Sequence, residues 1–271
     1  MRLEALYLHP VKSARGVRVS AAEVEPRGLR YDRRWMIVNA DGRFLSQRQD
    51  PRLGRIVPQL EDDRLRLTRD GAADLELPLG DPGAARRSVT VWNDRVEAAD
   101  LGDEASVWLD DLLGAGHRLV RLPEDKHRPV DPAYGRPGDQ VSFADGYPFL
   151  LTNVASLNEL NRRAGRTFEI ERFRPNLVIS GAEAFAEDGW DAVTVGAVRF
   201  RVAKSCLRCS ITTLDPTSGA RSREPLRTLA TFRRQRGGVA FGQHLIADGT
   251  GRLQVGEPAV AELRDEDGAA R

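Results

Sequence analysis

The sequence predicts a β-dominated α+β protein: a barrel-like β domain, followed by a second β-rich half with a few helices. Two observations predict the class. The first half is a run of short alternating strands separated by polar turns, with no strand–helix–strand rhythm. Helix-period stripes with start and stop signals occur in only about three places. A third observation predicts the division. Residues 123–138 are rich in Pro, Asp, Gly and charge, as a linker or mobile loop would be. That gives a first domain at 1–122, a second at 123–263 and a charged tail at 264–271 that is expected to fray.

Each element follows in order. Residues 3–8 form a strand that ends in His9-Pro10-Val11-Lys12-Ser13. Residues 17–24 alternate apolar and polar, and Trp35-Met36-Ile37-Val38 is a compact buried run. Asn39-Ala40-Asp41-Gly42 signals a hairpin, because Asp-Gly accepts the positive φ of a tight turn. Residues 56–60 and 65–68 flank Asp62-Asp63, residues 75–79 continue the pattern, and 89–92 and 96–99 flank Asn93-Asp94. A helix is expected at 103–113, with Asp103 as its cap, Val107, Trp108, Leu112 and Leu113 as its stripe, and Gly114 and Gly116 as its stop. A strand at 119–122 closes this half.

In the second half Thr152-Asn153 precede a helix through Leu157 and Leu160 that stops at Gly165. Phe173-Arg174-Pro175-Asn176 leads into a buried strand at 177–181. Residues 193–195 and 198–203 make a hairpin that ends at the two cysteines. Pro225 opens a helix to Arg236, stopped by Gly237-Gly238. Strands at 241–246 and 253–255 complete the chain.

Composition excludes several classes of function. A net charge of +1 gives no whole-chain field for nucleic acid, and the few aromatics do not interleave with a basic patch. Two cysteines make no disulfide framework. The opening residues lack the apolar stretch of a signal peptide, and no apolar run reaches the roughly 18 residues of a membrane span. A soluble, reducing, cytoplasmic setting and a monomer are expected.

The chemistry concentrates at Lys204-Ser205-Cys206-Leu207-Arg208-Cys209. Lys204 and Arg208 would favour a thiolate, so either cysteine could be a soft metal ligand or a nucleophile. A structural zinc site would need more ligands than one Cys-x-x-Cys pair and four scattered histidines supply. A thioredoxin-like pair would open a helix, whereas Ser210 to Leu214 favours extended chain. Two buried, inert cysteines remain a third reading. Elsewhere, Lys12 and Ser13 at a strand end, Arg33 in Tyr31-Asp32-Arg33-Arg34, and Arg174, held extended by Pro175, are each compatible with a surface turn or ion pair. Brought together, they would cradle a phosphate. Asp215-Pro216-Thr217-Ser218-Gly219 has the composition of a turn. No phosphate-binding glycine loop, dinucleotide fingerprint, HExxH or GxSxG motif is present.

The assembled motifs resemble the MOSC superfamily, in the form that joins an N-terminal β-barrel to a MOSC domain, and in particular the amidoxime-reducing components and their bacterial counterparts. The residues that carry this are His9-Pro10-Val11-Lys12-Ser13, Gly28-Leu29, Asp32-Arg33-Arg34-Trp35, and Gln49-Asp50-Pro51-Arg52-Leu53. Phe143-Ala144-Asp145-Gly146-Tyr147-Pro148, Ala155-Ser156-Leu157-Asn158, and Arg172-Phe173-Arg174-Pro175-Asn176 continue the match. Cys206-Leu207-Arg208-Cys209, Thr212-Thr213-Leu214-Asp215-Pro216 and Phe241-Gly242-Gln243 complete it, in order and nearly end to end.

The resemblance implies a molybdenum cofactor. Cys209 falls on the molybdenum ligand, and Lys12, Ser13, Arg33, Asp145, Gly146, Tyr147, Arg174 and Arg208 fall on positions that bind the pterin and its phosphate. It implies two-electron reduction of a small N-hydroxylated substrate, with Asp215 and His244 as conceivable proton donors. Electrons would come from a separate ferredoxin-, flavin- or cytochrome-type partner, because the chain lacks the cysteines of an appended iron–sulfur domain. Leu207 departs from relatives that often carry Ser there, which removes any hydroxyl contact at that position. Sulfur transfer through a persulfide and a non-catalytic cofactor carrier are the competing readings. Pyridoxal phosphate on Lys204 is a weak one, since nothing near it marks a partner for the pyridinium nitrogen.

Overall fold

The computed structural model describes residues 1–80, 83 and 85–264; beyond residue 264 the expected tail lies outside the described residues. Strands dominate and helices are few. The largest sheet runs, in spatial order, Val17–Val19, Arg2–Leu8, Leu177–Ser180, Phe149–Asn153, Gly238–Ala247, Val198–Leu207, Trp190–Val195 and Ala259–Leu263, with Arg234–Gln235 added beside Gly238–Ala247. All neighbours are antiparallel except Leu177–Ser180 on Phe149–Asn153. The ends of the sheet meet. Leu3 N donates to Glu257 O (2.9 Å), Gly256 N to Leu3 O (2.8 Å) and Ala259 N to Met1 O (3.0 Å), which removes the open edge.

The first 29 residues therefore build the second half's core as well as their own. Leu3, Leu6, Leu8, Val24 and Leu29 pack in one buried cluster with Phe149, Leu177, Phe200 and Leu245. In the sheet interior Gly242 takes φ 81°, and a Cβ there would meet Leu151 O at 2.6 Å. Only glycine fits that approach of two backbones.

Residues 35–121 form the other β unit. Its sheet orders Trp35–Val38, Arg118–Arg121, Asp94–Asp100 and Arg86–Val91. The turn after Val38 curls the sheet back on itself, because residues 43 and 44 bridge both Val38 and Thr90. The meander Val57–Leu60, Arg64–Thr68 and Leu75–Pro78 packs Leu65, Leu67 and Leu77 with Trp35 and Ile37 into a second core, against the helix Gly102–Leu113.

Five local expectations are corrected. Asp103 does not cap its helix; Asp100 Oδ1 accepts from Gly102 N (3.1 Å) instead, and Val107 points outward at 65% exposure. The helix expected from Pro225 to Arg236 is the single turn Leu226–Leu229, because Arg234–Gln235 leaves it to pair with Gly238–Ala247. Ser210–Thr213 is a 3₁₀ turn, closed by Thr212 and Thr213 hydroxyls that donate to Cys209 O (3.0 Å) and Ser210 O (2.7 Å). The stretch after residue 122 is tied down: Arg27 donates to Pro123 O (3.1 Å) and Glu124 O (2.9 Å), and Arg128–Pro129 pairs with Gln140–Val141. The helix Val154–Ala164 stands as expected, with Asn153 accepting from Ala155 N (3.0 Å) and Gly165 left-handed at its end. Among the described residues no helix is long and apolar enough to cross a membrane.

Leu6 is fully buried in the core shared by the chain's first strand and its second half. Leu6→Ala should therefore cost about 2–5 kcal/mol. Urea unfolding followed by tryptophan fluorescence should show the loss as a shift of one cooperative transition. A shift below about 1 kcal/mol would show that the first strand adds little to the barrel.

Candidate functional site

The antiparallel pairing of Arg2–Leu8 with Leu177–Ser180 sets the end of the first strand beside the start of the second. The segments that follow one and precede the other, 9–13 and 174–176, consequently meet. His9 Nε2 donates to Pro175 O (3.0 Å), and Asn176 Nδ2 donates to Tyr7 O (3.2 Å). Around this junction lies a cavity of about 280 Å³ lined by Lys12, Ser13, Arg33, Asp145, Gly146, Tyr147, Arg174, Arg208, Cys209 and His244. The fold brings together every predicted site residue except Asp215.

Asp215 lines a neighbouring cavity of about 370 Å³ with Arg172. One of its carboxylate oxygens accepts from Thr217 N (3.1 Å) and from the Ser218 amide and hydroxyl (2.8 and 2.9 Å). The other accepts from Arg172 Nη2 (3.3 Å). It organises its own turn and does not face Cys209.

The cations are fixed before any ligand arrives. Lys12 is buried and donates to Phe143 O (2.8 Å) and Asp145 Oδ1 (2.5 Å). Burial lowers its pKa, and Asp145 opposes that shift. Desolvation pushes the Asp145 carboxyl up, but Lys12, Arg48 and Trp92 outweigh it and hold the group well below the usual carboxylate range. Arg33 donates to Asp32 Oδ2 (2.5 Å), Asn176 Oδ1 (3.0 Å) and Arg174 O (3.2 Å). Arg174 donates to Ala14 O (2.6 Å) but to no carboxylate among the described residues, and burial beside Arg33 brings its pKa down to about 9.

Ser13, Arg33 and Arg174 all have left-handed backbone, at φ 67°, 48° and 55°. Arg174 thus departs from the extended geometry expected before Pro175, because it caps the 3₁₀ turn Ile170–Phe173. Such conformations cost about 1 kcal/mol or more per non-glycine residue and persist where surrounding contacts over-determine them.

The two cysteines have different fates. The strand Val198–Leu207 runs past its expected end and carries Cys206 into a register shift between Ser205 and Leu207. Cys206 is buried, and Arg208 Nη1 donates to its Sγ at 2.8 Å. Burial raises the Cys206 pKa, but Arg208 and then His244 more than reverse this and bring it to about 6. Cys209 is exposed beyond the strand end, and its Sγ has no hydrogen-bond partner among the described residues. Lys204 does not face the thiols as expected; its Nζ lies over the Tyr134 and Tyr147 rings.

Sequence reasoning missed Arg48, which reaches Asp145 Oδ2 (3.2 Å), and Arg128, whose Nη1 donates to the carbonyls of Ser142 and Ala144 and so holds the Asp145 segment. It also missed Trp92, which donates from Nε1 to Asp145 (3.2 Å). A large aromatic beside the Asn93-Asp94 turn was the available signal for Trp92; the two arginines had none among so many.

Five cationic side chains line the cavity, Lys12, Arg33, Arg48, Arg174 and Arg208, and two carboxylates, Asp32 and Asp145, are bonded to them. The Tyr147 hydroxyl, His244 Nδ1 and Arg208 Nε are buried and have no hydrogen-bond partner among the described residues. An anionic, hydrogen-bonding ligand beside an accessible thiol fits this lining.

These two β-rich units, meeting over a thiol and a set of cations, define a class: the chain belongs to the MOSC family. Residues 1–116 match the MOSC N-terminal beta barrel domain and residues 138–260 the MOSC domain. The chain is similar to mitochondrial amidoxime-reducing component 1 of Homo sapiens, 37% identical over 93% of this chain and 80% of that protein. Component 2 of Homo sapiens is 33% identical over 93% of this chain and 81% of its own. A molybdenum cofactor sulfurase of Danio rerio is 37% identical over 97% of this chain but only 34% of its own length.

The Cys206 thiol is predicted to titrate near 6. Thiolate absorbance in a Cys209→Ala background should show that midpoint, and Arg208→Gln should raise it by at least about one unit. Because the folded-state value lies below the ordinary 9.0, the stabilisation is fully present above 9.0 and is lost as pH falls through about 6. An unshifted midpoint in the Arg208 variant would remove the guanidinium as its cause.

Proposed function

We propose that this chain binds a molybdenum cofactor in the Cys209 cavity and reduces N-hydroxylated compounds of the amidoxime or hydroxylamine type, with electrons from a separate donor protein. The observation that carries this is the juxtaposition of the exposed Cys209 thiol with Lys12, Ser13, Arg33, Arg174 and Arg208 in one cavity. Among the described residues no group of three or more His, Cys, Asp or Glu side chains could hold a bare metal ion. A metal on Cys209 would therefore bring most of its ligands with it, as a pterin dithiolene does. The family match and the names of the relatives support the same cofactor.

Bound, the cofactor would supply a two-electron centre able to take oxygen from nitrogen. The protein supplies the rest. Cys209 offers a soft ligand, and Lys12, Arg33, Arg174 and Arg208 offer charge and directed N–H groups to a pterin phosphate. Converting N–OH to N–H consumes two electrons and two protons and releases water. In this reading His244, at the cavity wall, handles a proton in place of Asp215, which lines the neighbouring cavity. The two free thiols suit a reducing compartment, and we propose the cytoplasm.

A second reading, sulfur transfer through Cys209, draws on the sulfurase similarity. Metal analysis and pterin fluorescence on protein made in a cofactor-competent host, followed by benzamidoxime turnover with an artificial reductant, separate the readings. Molybdenum bound in about one-to-one ratio with turnover is the expected result. Cys209→Ala should reduce turnover to background, while Cys206→Ala should keep it within about tenfold. Protein without molybdenum would sink the reductase, and molybdenum without turnover would leave a carrier or a sulfur-transfer protein.

A further inference from the structure

Resting on the reductase reading, we infer that the groove beside the Cys209 cavity admits the substrate, and that it selects flat aromatic N-hydroxylated compounds bearing an acidic group. The groove has a volume of about 750 Å³ and shares Tyr147, Leu207 and His244 with the Cys209 cavity. Three of the large hydrophobic side chains that the described surface exposes line it: Trp92 at 43%, Tyr134 at 44% and Leu207 at 43%. Exposed apolar side chains gathered in one concavity mark a binding surface.

Rings lead along this groove toward the thiol. His244 stacks on Tyr147 (centroids 4.6 Å apart, planes 26° apart), and Tyr147 meets Tyr134 edge-on at 6.2 Å. A flat aromatic molecule extends such a series of rings at little conformational cost.

The charge pattern supplies the second half of the inference. Lys204 Nζ sits 4.4 Å from the Tyr134 centroid and 5.0 Å from that of Tyr147, with no hydrogen bond or ion pair among the described residues. Two of the three carboxylates that line the groove are paired with other cations, and none of the three is paired with Lys204 among the described residues. Asp94 pairs with Arg128 (2.7 Å), Asp145 with Lys12 and Arg48, and Asp131 accepts from Ala133 N (3.0 Å) in its own turn. An ammonium held over two aromatic faces, with its donors unspent, is complementary to a carboxylate carried on an aromatic ring.

The test compares benzamidoxime with 4-carboxybenzamidoxime in two measurements. Calorimetric binding to the wild-type protein should favour the carboxylated compound by at least about tenfold, and the preference should shrink as salt rises. Lys204→Met should abolish the preference, weakening the carboxylated compound by at least about tenfold more than benzamidoxime. Tyr134→Ala should weaken both compounds alike, through KM and not kcat. Equal binding of the two by wild type, or a preference that survives in Lys204→Met, would overturn the inference. If neither compound is reduced yet calorimetry shows a preference that depends on Lys204, the groove stands as an aromatic-acid site and the reductase reading falls.

Discussion

The antiparallel pairing of Arg2–Leu8 with Leu177–Ser180 fixes the distance between the two sides of the cavity. Register decides it. With Leu6 opposite Leu177, the chain leaves the first strand just where it enters the second, and 9–13 has no course except past 174–176. The two strands lie about 170 residues apart in sequence, so their closure carries a loop entropy that local contacts do not repay. Repayment comes from Leu3, Leu6 and Leu8, buried among side chains from the second half. The site thus inherits its geometry from the core of the barrel, and the loops that carry Lys12 and Arg174 are short because the strands beneath them are already adjacent.

That arrangement concentrates like charge. After burial, Arg128 and then Arg33 lower the pKa of Lys12, and Arg33 lowers that of Arg174; Asp145 and Asp32 do not fully cancel these effects. Left-handed backbone at Ser13, Arg33 and Arg174 adds to the cost. Folding tolerates this because four of the five cations are also held by carbonyl oxygens: Phe143 O for Lys12, Arg174 O for Arg33, Ala14 O for Arg174 and Phe173 O for Arg208. Carbonyls orient a cation without neutralising it. The positive field is left for a ligand, and the donors need no rearrangement when one binds.

Strands and turns in the first half were legible because alternation and Asp-Gly or Asn-Asp turns are local signals, as at Trp35–Val38 and Asp94–Asp100. The helix after Pro225 was not, because its apparent continuation pairs with a strand that the local pattern cannot reveal. The residues that line the Cys209 cavity were legible through the order of their motifs, while the sharing of the first strand between halves is a long-range pairing with no local trace. Asp215 shows the limit of motif order. It sits six residues after Cys209, yet the turn at Ser210–Thr213 carries it round to another cavity. Lys204 shows another limit, since alternation along a strand sets it on a different course from its neighbour Ser205.

The Cys-x-x-Cys spacing takes its meaning from the same alternation. Residues three apart on a strand point to opposite faces, so a regular strand through both cysteines could not present them together. The register shift at Cys206 and the end of the strand at Leu207 resolve this differently for each thiol. Cys206 is drawn inward and bonded by Arg208; Cys209 is left outside the sheet with no hydrogen bond to its sulfur among the described residues. A hydrogen bond from a guanidinium withdraws electron density from a thiolate, and hydrogen bonds to ligand sulfur shift the potential of the metal it holds. Arg208 Nη1 donates to Cys206 and Nη2 to Phe173 O, so the first cysteine helps to fix the guanidinium that the motif places between the two thiols. Under the proposed function the exposed second cysteine is the one offered as a soft ligand, and the buried first one positions the cation between them.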